Sequence, residues 1–104
     1  MEEKIRKLQY YVIICNQKNK DKYISLLKDM GAHGINVIYG KGSAKAGLIT
    51  QAFGLDTEEH KAVVSSLLSK EAAIKLTELL YNDYGFSKPN TGIAFSFPIE
   101  GLTF

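Results

Sequence analysis

The run QYYVIIC at residues 9–15 constrains this chain more than any other stretch of it. It is continuous, aromatic and β-branched, and it falls far short of the ~20 apolar residues of a membrane span. Its length and composition read as a strand. Side chains alternate along a strand, so Tyr10, Val12 and Ile14 take one face and Tyr11, Ile13 and Cys15 the other, and both sets are apolar. Such a strand belongs in the middle of a sheet that is covered on both sides.

The rest of the chain supplies the neighbours. In DKYISLLKDM, residues 21–30, Tyr23, Ile24, Leu27 and Met30 recur at helical spacing, and Gly31 stands where a helix ends in a left-handed residue. Gly34 precedes a β-branched run, INVIY, at residues 35–39. A segment of 20 residues without periodicity follows at 40–59 and holds four of the nine glycines. Loops of that length in small domains are uncommon and tend to be functional. HKAVVSSLL, residues 60–68, reads as a third strand. Ser69 is placed to cap a second helix, with Glu71 in its first turn and Ala72, Leu76, Leu79 and Leu80 as its apolar stripe. After a break containing Gly85 and Pro89, Ile93, Phe95, Phe97 and Ile99 alternate with Ala94, Ser96 and Pro98 in a fourth strand.

The order is strand, helix, strand, loop, strand, helix, strand. Two such halves form a split βαβ, ferredoxin-like α+β fold (βαββαβ), an antiparallel sheet with both helices on one face. The third strand repeats the pattern of the first, with Val64 and Leu68 on one side and Val63 and Leu67 on the other. Two helices cover one face only. The second therefore calls for a partner surface, most economically another copy of the chain.

Composition sets outer limits. At 104 residues, 45% hydrophobic and 23% charged with a net charge of +2, the chain is expected to form a single domain over 1–104, with no membrane insertion and no extended disorder. Arg6 is the only arginine, a poor inventory for bidentate reading of bases, so no nucleic-acid partner is expected. The charged start MEEKIRKLQ and the lone Cys15 point to the cytoplasm.

Catalytic sets are thin, and the expectation is that the protein is not an enzyme. His33 and His60 lack the spacing of a metal pair, and Cys15 has no base beside it in the sequence. Gly34, Gly40 and Lys41 only faintly resemble a phosphate-binding P-loop: the spacing is wrong and Gly42 stands where a hydroxyl residue would be. Two glycine-and-lysine segments are better candidates. Gly40, Lys41, Gly42, Ser43 and Lys45 offer unencumbered backbone N–H groups, two ammonium groups and a hydroxyl directly after a strand, the ingredients of an anion-binding turn. Lys88, Asn90, Thr91 and Gly92 offer a second set of donors before the last strand.

Two stretches, GAHGINVIYGKGSAKAG and PNTGIAFSFPIEGL, together with the order of elements, resemble the PII signal-transduction family and its shorter, PII-like members. The first is similar to the helix end, second strand and start of the family's T-loop, the second to its B-loop and last strand. The resemblance implies a homotrimer with an adenine nucleotide, ATP, ADP or AMP, in the clefts between subunits. It further implies a T-loop that changes shape with the ligand and docks on a target protein: a transporter, an enzyme or a transcription regulator, as in nitrogen regulation. No cofactor is required. On this resemblance Gly40, Gly42 and Ser43 meet phosphate at the T-loop base, and Lys88, Asn90, Thr91 and Gly92 do so from the B-loop. The segment between Lys41 and Leu55 has no tyrosine, so uridylylation is not expected. Ala44 or its neighbour replaces the glutamine of 2-oxoglutarate sensors, and the C-terminal arginines of nitrogen-sensing members are missing. The rival expectation is a structural or metal-tolerance-type ferredoxin-like trimer with no nucleotide.

Overall fold

The computed structural model describes residues 7–39, 60–89 and 91–99. They form β1 (Leu8–Asn16), a 3-10 turn (Gln17–Asn19), α1 (Lys20–Asp29), β2 (His33–Tyr39), β3 (Lys61–Ser69), α2 (Lys70–Asp83) and β4 (Gly92–Pro98). The four strands make one sheet in the order β2-β3-β1-β4, each pair antiparallel. This is the ferredoxin-like arrangement expected from the sequence, with the doubly apolar β1 inside the sheet.

Each helix ends as its sequence dictates. At the C-terminus of α1 the Ala32 N–H bonds to the Leu27 carbonyl and the Gly31 N–H to the Lys28 carbonyl, both at 3.0 Å. Gly31 has φ +78°, so this is a Schellman stop, which a side chain at Gly31 would strain. At the N-terminus of α2 the Ser69 hydroxyl accepts the Ala72 N–H at 3.1 Å. The buried stripes are turned slightly from the expected ones. Tyr23, Leu26 and Leu27 lie innermost on α1, with Ile24 and Met30 half-buried, and Ala73, Leu76 and Leu80 lie innermost on α2, flanked by Ala72 and Leu79.

Between helices and sheet, these residues close over Tyr11, Ile13, Cys15, Val64 and Leu68. The Tyr11 and Thr77 hydroxyls are 2.7 Å apart, and Thr77 donates to the Ala73 carbonyl at 2.9 Å. With its own hydrogen so committed, Thr77 accepts from Tyr11. Burial raises the Tyr11 hydroxyl above its ordinary pKa of 10.0, with the Thr77 hydrogen bond opposing.

The opposite face is apolar as well. Val12, Ile14 and Val63 are buried there, with Tyr10, Ile93 and Phe95 packed around them. Tyr10 stacks at a tilt on Phe97, ring centroids 5.4 Å apart, and donates its hydroxyl hydrogen to Ser65 Oγ at 2.7 Å. Phe97 and Ile38 continue this surface and are each 45% exposed.

One irregularity separates β2 from its expected start at Ile35. The strand begins at His33, and its register against β3 shifts between His33 and Asn36. Gly34, with φ +63°, sits inside this bulge. The Ser66 hydroxyl donates to the His33 carbonyl at 2.7 Å, satisfying the acceptor the bulge turns away from the ladder.

Candidate functional site

The register brings the two candidate loops to the same end of the sheet. Tyr39 pairs with Ala62, Ala62 with Cys15, and Cys15 with Gly92, so β2 ends, β3 begins, β1 ends and β4 begins in one row. β2 and β4 are the two outer strands, however. Their loop-proximal ends are three strand spacings apart, about 14 Å, rather than at neighbouring edges. His33 and His60 flank opposite ends of β3 and do not form a pair.

The segment leading into β4 is built around Phe86. Gly85 adopts φ +77°, the Phe86 N–H bonds to the Leu80 carbonyl at 3.0 Å, and the Lys88 N–H bonds to the Gly85 carbonyl at 2.9 Å. The Phe86 ring meets Tyr23 edge-on, centroids 5.5 Å apart. It also lies over Gly92, where a Cβ would stand 2.8 Å from Phe86 Cζ and 2.8 Å from the Ile14 carbonyl oxygen. Gly92 is therefore required by packing whatever it binds. Gly92→Ala is expected to cost about 1–3 kcal/mol, as other overpacked sites do, read as a lower Tm in thermal unfolding. An unchanged Tm would refute the packing argument.

Of the sequence-predicted site residues, Lys88, Thr91 and Gly92 lie within this turn and at the head of β4, with Lys88 exposed and Thr91 half-buried. Gly40, Lys41, Gly42, Ser43, Lys45 and Asn90 lie outside the described residues. A cavity of about 240 Å³ opens beside Gly92, walled by Leu80 and Tyr81 of α2 and by Phe86 and Ala94. Another, of about 350 Å³, lies farther along the α2–β4 seam near Gln9, Ile74 and Ser96, and contains none of the predicted residues.

The first turn of α1 lies at the same end of the molecule as Tyr39 and Tyr84. Lys20 and Lys22 stand there with Lys18 just before them. Cations at a helix N-terminus oppose its dipole, at roughly 0.3–1 kcal/mol each, and Asp21 in the same turn offsets part of this. Lys20 Nζ sits 5.9 Å from the Tyr39 ring centroid at the end of β2. Lys22 Nζ sits 5.6 Å from the Tyr23 ring and 5.9 Å from the Tyr84 ring at the end of α2.

Cys15 lies inside this end of the molecule, 1% exposed. Burial pushes its thiol up from 9.0 to about 11, against the pull of Lys61, Lys20 and Lys22. A raised pKa in the folded state means that the protonated thiol supports folding below about pH 9, and that this support fades as pH rises toward about 11. At pH 8 the native protein is expected to react with a thiol reagent only at its unfolding rate. Labelling as fast as in denaturant would contradict the burial. The thiol acts here as a small apolar group, not as a nucleophile.

No family model and no curated protein matches this sequence. Solved structures do. A PII-like signalling protein from Thermus thermophilus aligns with TM-score 0.62 at 17% identity, covering 86% of this chain and 83% of that one. CPII from Thiomonas intermedia K12, in a structure bound to ADP, AMP and acetate, aligns with TM-score 0.63 at 16% identity, covering 86% and 82%. The same protein bound to ADP and bicarbonate aligns with TM-score 0.58 at 21% identity, covering 86% and 83%. With the strand order, the helices on one face and the two loop bases at one end of the sheet, these matches show that the chain has the fold of the PII-like signalling proteins.

Proposed function

We propose that this chain is a PII-like regulator, a homotrimer that binds an adenine nucleotide in the clefts between subunits and controls a partner protein through residues 40–59. The observation that carries the reading is the shared fold, since CPII has been solved with ADP and AMP. Two features of this chain support it independently of that likeness. The second face of the sheet is apolar and continues into half-exposed Phe97 and Ile38, as a subunit interface requires. The bases of both glycine-and-lysine loops also lie at the same end of the sheet.

In this reading Gly40, Lys41, Gly42, Ser43 and Lys45 contact phosphate from one side and Lys88, Asn90, Thr91 and Gly92 from the other. The separation of about 14 Å within one chain is closed by the neighbouring subunit, whose β2 end faces this subunit's β4. The ligand acts by population shift: it binds one conformation of the 40–59 segment more tightly, and the partner reads that conformation. No catalysis is involved and the setting is cytoplasmic. Titration calorimetry of the wild-type protein with ATP, ADP, AMP and cyclic nucleotides tests the reading. Saturable heats for at least one adenine nucleotide are expected, and heats equal to buffer dilution for all of them would overturn it.

A further inference from the structure

The seam between α2 and β4 is underfilled for a reason visible in its residues. On the side of β4 that faces α2 stand Ala94 and Ser96, and α2 meets them with Ala73. Small side chains on both walls leave the cavity of about 350 Å³, which is the size of a small-molecule site. It lies near Gln9, which pairs with Leu68 and Pro98 at the end of the sheet opposite Gly92, and so is separate from the loop-end site. Its α2 wall is one helical stripe of Lys70, Ala73, Ile74 and Glu78. Ile74 is 54% exposed there, an apolar surface that folding leaves uncovered. Lys70 and Glu78 stand at the two ends of the stripe, about 12 Å apart along the axis at about 1.5 Å per residue. Among the described residues neither takes part in an ion pair. The cavity thus carries a cation at one end, a carboxylate at the other and an aliphatic strip between them.

We propose that this cavity binds a small zwitterion with separated charges, of the ω-amino acid class. Its carboxylate meets Lys70, its ammonium meets Glu78, and its methylene chain crosses Ala73 and Ile74. Both long side chains can lean inward over the strip, so the ligand spans only part of the distance between their backbones. An α-amino acid, with both charges on one carbon, reaches only one end. The dipole of α2 is positive at the Lys70 end and favours the same orientation. A ligand lacking either charge leaves one end of the site unmatched. The site lies within one chain and is independent of the nucleotide reading.

Titration of the isotope-labelled protein with ε-aminocaproate, followed by amide chemical shifts, tests it, with hexanoate, hexylamine and glycine as comparison ligands. Saturable shifts are expected at residues 70–78 and around Ser96, with binding weaker by about threefold or more for each comparison ligand. K70Q/E78Q changes two exposed helix positions to a residue of similar helix propensity. It is expected to fold and to lose about tenfold or more in affinity for ε-aminocaproate, whereas the charge-matched control E71Q/K75Q binds as wild type. S96L fills the cavity from its exposed strand wall and is expected to abolish the saturable shifts. The amide spectra themselves report whether each variant is folded. Shifts that do not saturate, that map away from 70–78, that hexanoate or hexylamine reproduces at equal affinity, or that survive unchanged in K70Q/E78Q overturn the site. An equal loss in the control also overturns it.

Discussion

Phe97→Asp is expected to convert the protein into a folded monomer. The ring lies on the second sheet face, stacked on Tyr10, and is already 45% exposed within the chain, so its loss leaves the helix-covered core of Tyr11, Ile13, Leu27 and Leu76 intact. In the proposed assembly the same position is covered by another copy, and each carboxylate must then be desolvated without a partner at a cost of several kcal/mol. The dissociation constant of the oligomer should rise by at least about 100-fold, since every 1.4 kcal/mol is a factor of about ten. Sedimentation velocity across a concentration series, with far-ultraviolet circular dichroism as the check on folding, reads the result. A wild type that is monomeric at tens of micromolar, or a variant that assembles as tightly as wild type, would sink the assembly reading.

The second large effect is expected at the ligand. Lys41→Ala with Lys88→Ala removes one ammonium group from each glycine-bearing loop. Hydrogen bonds to charged groups contribute about 1.5–3 kcal/mol each, so the pair should weaken ADP and ATP binding by about 100-fold or more and flatten its dependence on salt. Adenosine, which carries no phosphate, should bind the variant and the wild type alike. Calorimetry decides between this outcome and a pocket elsewhere, for which ADP affinity would survive the double substitution.

The fold was legible because its signals are local. A short doubly apolar run can only be an inner strand, Gly31 can only stop α1 the way it does, and Ser69 sits one residue before a helix whose first turn needs an acceptor for its N–H groups. What the sequence could not show depends on long-range partners. The β2 bulge at Gly34 is stabilised by Ser66, 33 residues beyond the His33 carbonyl that it satisfies. Nor could a helical repeat show that Phe86 would cover Gly92, which is why that glycine looked like a ligand contact first and a packing requirement second. For the candidate site, loop chemistry singled out Lys88, Thr91 and Gly92, and what only the pairing of distant strands could add is that Gly92 opens β4 at the end of the sheet where β2 stops.

The inner position of β1 has a consequence for how the chain comes to be folded. Both of its neighbours lie far along the sequence: Cys15 pairs with Ala62 on one side and with Gly92 on the other. On a ribosome, a strand that is apolar on both faces emerges early and waits for most of the chain before either edge can be hydrogen-bonded. Closing loops of that length is an entropic barrier that local helix formation does not lower. The nascent protein is therefore exposed to self-association through QYYVIIC until β3 docks, and the rate at which β3 follows β2 out of the exit tunnel becomes part of what determines the yield of native protein.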